Sequence, residues 1–567
     1  MKLFHCKAKR FVNGRHLVCH WSLSHGGCYV DPDKDRNCTY TTKQSKNMFN
    51  WRAAGQTKRI PTVIGILTGT LCGSALIRTK ENSKSTLFID SREKVHPKIF
   101  SSAEVAEHDS LETGVWVTYK DNVYDITDFI NSHPGGVDKI LMPAGGALEP
   151  YWSVYPVHKT NTILDLLEKY HIGRLDEDST TEHETVLDDP FQNDPVRHPA
   201  LLATVENPYE GEIPTRLLWD YYITPNELHY VRNHMPVPAI DEKDYQLTLS
   251  GKGVRDVSLS IKNLKHKFKK HTVVATLHCA GNRQTDMSKV KAILGVPSGS
   301  GMISTAQWGG ALLKDILEDA GLDDEAIESL GIEHVQFEAL DFDVTGTSYG
   351  VSIPISKAMD RKGDVLLAYE MNGEDLPLDH GYPVRVIVPG VAACRSVKWL
   401  GKIIVSDKES ESFWQQNKYR GFPPNTDTKS SEFNLSPSIQ EFPVTSVVCH
   451  PKENQSFSRQ NDECIPMKGY AWSGGGRSII RVDISVDGGK TWTVANFKRQ
   501  EQPRGRQWAW TFWECDVTIP VGVNKLEVVC KAVDSSYNVQ PENVLPIWNP
   551  NGYLMTSWSR VNVLVED

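Results

Sequence analysis

His133-Pro134-Gly135-Gly136 puts an imidazole at a sharp bend, where two glycines permit positive φ and the close approach of a bulky ligand. A second histidine, His158, follows 25 residues later. Taken alone, a histidine in such a turn serves equally well facing solvent. Cys279 closes the apolar run VVATLH and opens a glycine-containing loop. A thiolate there is the soft ligand that a high-valent metal wants, and a small buried apolar side chain fits the position as well. Arg385, within PVRVIV, reads by itself as an outward-facing strand residue, and Tyr419 as core packing beside Phe422.

The elements that must hold these residues are legible in outline. Gly114–Gly136, GVWVTYKDNVYDITDFINSHPGG, predicts two short strands and a helix that ends in the histidine turn. After His158, TILDLLEKYHIG predicts a helix with Ile163, Leu166, Leu167 and Tyr170 on one face, capped by Asn161 or Thr162. Residues 176–189, DEDSTTEHETVLDD, hold seven carboxylates and no Lys or Arg, which predicts a solvated, self-repelling linker. From about Asn193, strands and Pro/Gly loops alternate with occasional helices such as GGALLKDILEDAG. Beyond about Ser430 the period is two: Ile480, Val482, Ile484 and Val486 alternate with polar neighbours ahead of an Asp487-Gly488-Gly489 hairpin turn. WAWTFWECDVTI repeats the pattern, and an immunoglobulin-like β-sandwich is expected.

With 567 residues the chain exceeds one core, and about four units is the prior. A hydrophobic share of 39% with 23% charged residues excludes both a disordered tail protein and a polytopic membrane protein. The net charge of −9 argues against nucleic-acid binding. Residues 1–60 carry twelve Lys/Arg and three Asp/Glu, so the remaining fifty basic and sixty-eight acidic residues leave −18. Ile60–Ile77 then forms an uncharged run of 18 residues, at the lower edge of what spans a bilayer. A basic leader followed by such a run predicts a mitochondrial presequence over 1–92 that delivers the protein to the intermembrane space, with membrane contact only in transit. A retained anchor and an unstructured extension are the alternatives, and Asp31, Asp33, Asp35 and four early cysteines are atypical of a transit peptide. The six cysteines from Cys279 onward contain no CxxC pair, so a zinc ribbon is not indicated; the carboxy-terminal four are able to pair in an oxidising compartment.

Residues 98–176, with VYDITDFI ahead of HPGG and His158 behind it, resemble the cytochrome b5 family. That resemblance implies that His133 and His158 are axial ligands of a b-type haem, whose saturated iron passes single electrons and binds no substrate. Further along, YVRNHMPVP, TLHCAGNR, FEALDFDVTGTSYG, LAYEMNGEDLPLDHGYPVRVIVPG, RSVKWLGKI and NKYRGFPP keep the order and spacing of the sulfite oxidase family of molybdenum-cofactor enzymes. The fold class this implies is α+β multidomain: a cytochrome b5-like haem domain (98–176), an acidic hinge (177–194), a mixed α+β molybdopterin domain (195–425) and the sandwich (430–567), which in the family forms a homodimer interface.

The resemblance also implies site roles. Cys279 ligates molybdenum beside the pterin dithiolene. Tyr230, Val231, Arg232, Asn233 and His234 wrap the cofactor, Arg385 and Lys398 take its phosphate with Ser396 and Val397 alongside, Asp341 accepts from ring N–H groups, and His380 meets its polar edge. Arg232 holds sulfite and Tyr419 faces the metal, with electrons passing through the haem to cytochrome c. An acidic body attracts such a basic acceptor with salt-dependent rates. The chain departs from the family at three places: Gln284 stands where CAGNRR has its second arginine, Ser298 near a usual tryptophan, and Asn551 at the arginine of WN-x-RG. Losing cations from an anion pocket keeps two alternatives in view, a nitrate-reductase-like enzyme acting on another oxyanion and a haem carrier whose molybdenum domain is inactive.

Overall fold

The computed structural model describes residues 98–176, 189–426, 436–460 and 462–567. The presequence expected over 1–92 and the first part of the expected hinge, 177–188, lie outside the described residues. Among those described, no helix is long and apolar enough to cross a membrane.

In the amino-terminal module the expected strand pair is Gly114–Tyr119 and Asn122–Asp125, and the helix before the histidine turn is a 3-10 segment, Thr127–Ser132. Val115, Val117, Tyr124, Ile126 and Ile130 form its core with Trp152 and Leu167. The second helix is Asn161–Leu167, and its cap is Thr160 rather than Asn161 or Thr162. Thr160 is still extended (φ −74°, ψ 148°) as the chain leaves the turn Pro156–Lys159, so the first helical residue falls one position later. Its hydroxyl donates backward to the Val157 carbonyl at 3.1 Å.

The central domain is built on two five-stranded sheets and one three-stranded sheet. One large sheet runs Val257–Leu259, Leu247–Gly251, Leu400–Ser406, His334–Phe342, Ser348–Pro354. In the other, Lys270–His278, Ile303–Leu312, Leu366–Met371 and Glu374–Asp375 lie side by side, and Arg385–Ile387 also pairs with Leu366–Met371. The small sheet joins Leu202–Val205, Glu210–Glu212 and Val231–Arg232, with Glu210 directly opposite Arg232. Strands buried on both faces, such as Ile303–Leu312, read as near-continuous apolar or small-residue runs because no face meets water.

The carboxy-terminal domain is a two-sheet sandwich. Thr445–His450, Cys464–Trp472, Thr511–Thr518 and Asn496–Lys498 form one sheet; Gln455–Ser458, Ser559–Glu566, Lys525–Asp534, Ile479–Ser485 and Thr493–Val494 form the other. Ile465, Met467 and Trp513 from the first pack against Val482, Ile484, Val528 and Val563 from the second. The expected alternation fails at Ile480, which is 43% exposed while Ile479 is buried. A register shift between Ile479 and Arg481 explains it: the extra residue of a bulge turns one side chain outward. Cys449, Cys464, Cys515 and Cys530 are free thiols.

One side chain ties the central domain to the sandwich. Arg283, in a left-handed conformation (φ 68°) and buried, donates to the carbonyls of Ser557 (2.7 Å) and Trp558 (3.2 Å) and pairs with Asp286 at 3.0 Å. It lies four positions beyond Cys279. Arg283→Gln is expected to lower the unfolding midpoint by the equivalent of about 3 kcal/mol, because charged hydrogen bonds are lost from a dry site. Molybdenum content, measured alongside, should fall with it.

Candidate haem and molybdenum sites

The two sequence-identified histidines come together. The His133 and His158 rings lie 6.2 Å apart between centroids and within 23° of parallel. Each Nδ1 is held by a backbone carbonyl, His133 by Gly136 at 2.9 Å and His158 by Tyr155 at 3.0 Å. That contact fixes the ring and leaves Nε2 to a metal. Two metal–nitrogen bonds of about 2 Å each, plus the half-widths of two rings, account for the spacing. Burial holds His133 down to about 4 and lowers His158 as well, so both are neutral, the form that ligates. The residues therefore fit a bis-imidazole haem.

The second site lies in a cleft in the central domain, lined by Tyr230, Arg232, His234, Cys279, His380, Arg385, Ser396, Lys398 and Tyr419 among the expected residues. Val231, Asn233, Asp341 and Val397 do not line it. Asn233 stands behind the wall, donating to Asp379 at 2.9 Å and accepting from Lys398. Asp341 is buried with one carboxylate oxygen lacking any partner, and its charge acts on Lys398. His229 and Cys394 line the cleft without having been singled out; His229 adjoins the Tyr230–His234 run, and Cys394 adjoins RSVKW, so proximity to a motif was the available signal.

Cys279 follows the last residue of Lys270–His278, and its N–H continues the ladder to Met302 at 3.0 Å. Asn282 then locks the loop, donating to Tyr470 at 2.9 Å and accepting from the Met302 N–H at 3.0 Å. The Gly281 N–H points at Sγ from 3.4 Å. In the metal-free protein burial and then Glu210 push the thiol up to about 12, with Arg232 pulling the other way. A ligated metal reverses that balance by holding the thiolate directly.

Arg385 is not the outward-facing residue its strand pattern suggests. It is 4% exposed, and its two amino groups donate to the carbonyls of His380 and Ser396, both at 2.9 Å. Its Nε has no partner, nor does Nε2 of buried His229. Burial pulls Arg385 down to about 10 and also lowers Lys398. The carboxylate of Asp379 does not neutralise these cations directly, because Arg197 holds it with two contacts of 2.9 Å. Gly381 shapes the wall: at φ 103° a Cβ would press on Lys398 and Arg385 from 3.1 and 3.0 Å. A cleft lined by cations, orphaned donors and a thiol fits a phosphate-bearing metal cofactor.

Tyr419 meets His234 at 2.5 Å, and burial followed by Tyr349 and Tyr553 raises its phenol well above the ordinary range. Trp414 packs on His234 and Tyr419, with centroids 4.6 and 6.4 Å away. On its other side opens a second cavity lined by Asn131–Lys139 of the histidine turn together with Asp343, Phe413, Lys418 and Asn551. Lys139 and Asp343 pair across it at 3.2 Å.

Comparison with known proteins agrees with this geometry. Residues 101–176 match the Cytochrome b5-like Heme/Steroid binding domain, 234–414 the Oxidoreductase molybdopterin binding domain, and 436–566 the Mo-co oxidoreductase dimerisation domain. Fold and sites thus define a molybdopterin-dependent oxidoreductase with a haem-binding domain attached. Sulfite oxidase of Gallus gallus is 50% identical over 81% of this chain and 99% of its own, and the mitochondrial sulfite oxidase of Homo sapiens 45% identical over 88% and 89%. The crystal structure of the sulfane dehydrogenase SoxCD from Paracoccus pantotrophus superposes with a TM-score of 0.50 at 26% identity, covering 65% of this chain and 86% of that one. The chain belongs to the sulfite oxidase family.

The two sites are separable by mutation. His133→Ala should abolish the b-type haem spectrum and leave molybdenum content unchanged, whereas Cys279→Ser should abolish turnover and leave the haem spectrum unchanged. Metal analysis and absorbance on the same samples check both.

Proposed function

We propose that this protein oxidises sulfite to sulfate and passes the electrons through its haem module to cytochrome c, as a homodimer in the mitochondrial intermembrane space. The observation that carries the reading is the convergence of Arg232, Cys279 and Tyr419 on one buried, cation-lined cleft. Dimerisation rests on the family of the sandwich, and the compartment on the mitochondrial relatives and the basic leader.

In this reading Cys279 holds the metal, and Tyr230, Arg385, Ser396, Lys398 and His380 hold the pterin and its phosphate. When bound, molybdenum–pterin supplies two-electron oxidation with oxygen transfer, and the haem supplies single-electron relay. Sulfite and water become sulfate, two protons and two electrons. Arg232 positions the anion through its guanidinium. Tyr419, whose raised pKa keeps it a neutral phenol, stays a hydrogen-bond donor or acceptor at every physiological pH, and His234 fixes its orientation. The buried rings of Tyr419, His234 and Trp414 exclude water from the cleft wall and bridge it to the cavity beside the haem turn.

Anaerobic sulfite added to protein loaded with both cofactors should reduce its own haem. Tyr419→Phe should slow that reduction on the order of tenfold or more, the cost of a lost positioning group in the reacting complex. Full metal loading without haem reduction would refute the activity. Reduction of added cytochrome c should slow steeply as ionic strength rises past the range where charges 10 Å apart are screened (~0.1 M), and a flat salt profile would exclude an electrostatically steered acceptor.

A further inference from the structure

The pocket arginine is already paired. Glu210 and Arg232 face each other across the small sheet, and Arg232 Nε meets Glu210 Oε2 at 3.1 Å. Opposed residues on antiparallel strands put their side chains on the same face, so this pairing is built into the backbone register. Glu210 is 6% exposed. Its second oxygen accepts from the Ser298 hydroxyl. Ser298 in turn donates its N–H to Gln284 Oε1 at 3.3 Å, and Gln284 Nε2 donates to the Asn551 carbonyl at 2.7 Å. The three positions that depart from the family pattern therefore form one hydrogen-bonded chain that ends on this carboxylate. With both oxygens held, the carboxylate cannot swing away from Arg232 without breaking two contacts.

The remaining cations do not compensate. Arg385 and Lys398 belong to the cofactor cradle, and Lys418 lines the haem-side cavity. An entering dianion thus meets a guanidinium whose charge is balanced and a buried carboxylate of its own sign. We infer that Glu210 is a specificity-determining residue that weakens the hold of the pocket on divalent oxyanions, substrate and product alike. The inference rests on the sulfite-oxidising function proposed above. Because substrate and product lose affinity together, the effect falls on ground-state binding: it raises KM and eases release of sulfate while leaving the chemical step unchanged.

Glu210→Gln keeps the shape and the Ser298 contact but removes the charge. It should lower KM for sulfite and the inhibition constant of sulfate by about tenfold each, the scale of one charge-assisted hydrogen bond released to the anion, with kcat no higher than in the unmodified protein. Gln284→Arg, which offers the carboxylate a second guanidinium, should move both constants in the same direction and keeps the test open if Glu210→Gln fails to fold. Unchanged constants, or a rise in KM showing that Glu210 merely orients Arg232, would overturn the inference. Calorimetric titration of the cofactor-loaded protein with sulfate reads the pocket without turnover. A protein that binds sulfate more tightly in Glu210→Gln yet never oxidises sulfite would refute the activity and uphold the role of Glu210.

Discussion

Two cations packed against backbone carbonyls set the terms for the central domain. Arg385 is buried and Lys398 partly so, and carbonyls answer only part of their hydrogen-bonding capacity. An unpaired buried charge is among the costliest things a fold can contain. The sheet that carries Arg385, the 3-10 turn Leu378–His380 and the left-handed Gly381 all serve to keep those charges in place. An anion in the cleft offsets part of that cost. Cofactor binding and folding of this region are therefore linked: whatever binds the native cleft and not the unfolded chain stabilises the fold by mass action.

The haem module solves the opposite problem. Its two imidazoles, half-buried and with lowered pKa, are neutral and need no counter-ion, only a metal between them. Carbonyls at Gly136 and Tyr155 hold the rings in register before any metal arrives. Pre-orientation of this kind reduces the ordering cost of binding. Among the described residues the two modules meet through aromatic side chains and the ion pair of Lys139 with Asp343. The pair is partly buried, with the Asp343 side chain 7% exposed.

Much of this was legible in the sequence because the informative residues sit in short words of fixed spacing. HPGG with its later histidine, CAGNR and RSVKW each place several functional groups within one turn or loop, so local reading finds them. What was not legible came from distant pairings. Nothing near Glu210 distinguishes it from a surface carboxylate; only the pairing of Glu210–Glu212 with Val231–Arg232 brings it to the cleft. Asp379 likewise acquires its role from Arg197, 182 positions away in sequence. The strand pattern misassigned Arg385, since an arginine flanked by valines looks alternating whether its far side meets solvent or a buried cleft. Asp341 illustrates the converse, a motif residue that lies behind the site and acts on it through Lys398. The bulge at Ile479–Arg481 was hidden because period-two reading carries no information about where one residue is inserted.

Arg283 has a broader consequence. Its guanidinium reaches out of the loop that follows Cys279 and ends on carbonyls of the last strand region of the chain. That loop therefore settles only against a folded sandwich, because the carbonyls it needs belong to that domain. The boundary between central domain and sandwich is one of chain topology and not of independent stability: the loop that follows Cys279 leans on carbonyls of the sandwich. A truncation that removes Ser557 and Trp558 while sparing every residue of the cleft still deprives the loop after Cys279 of that anchor.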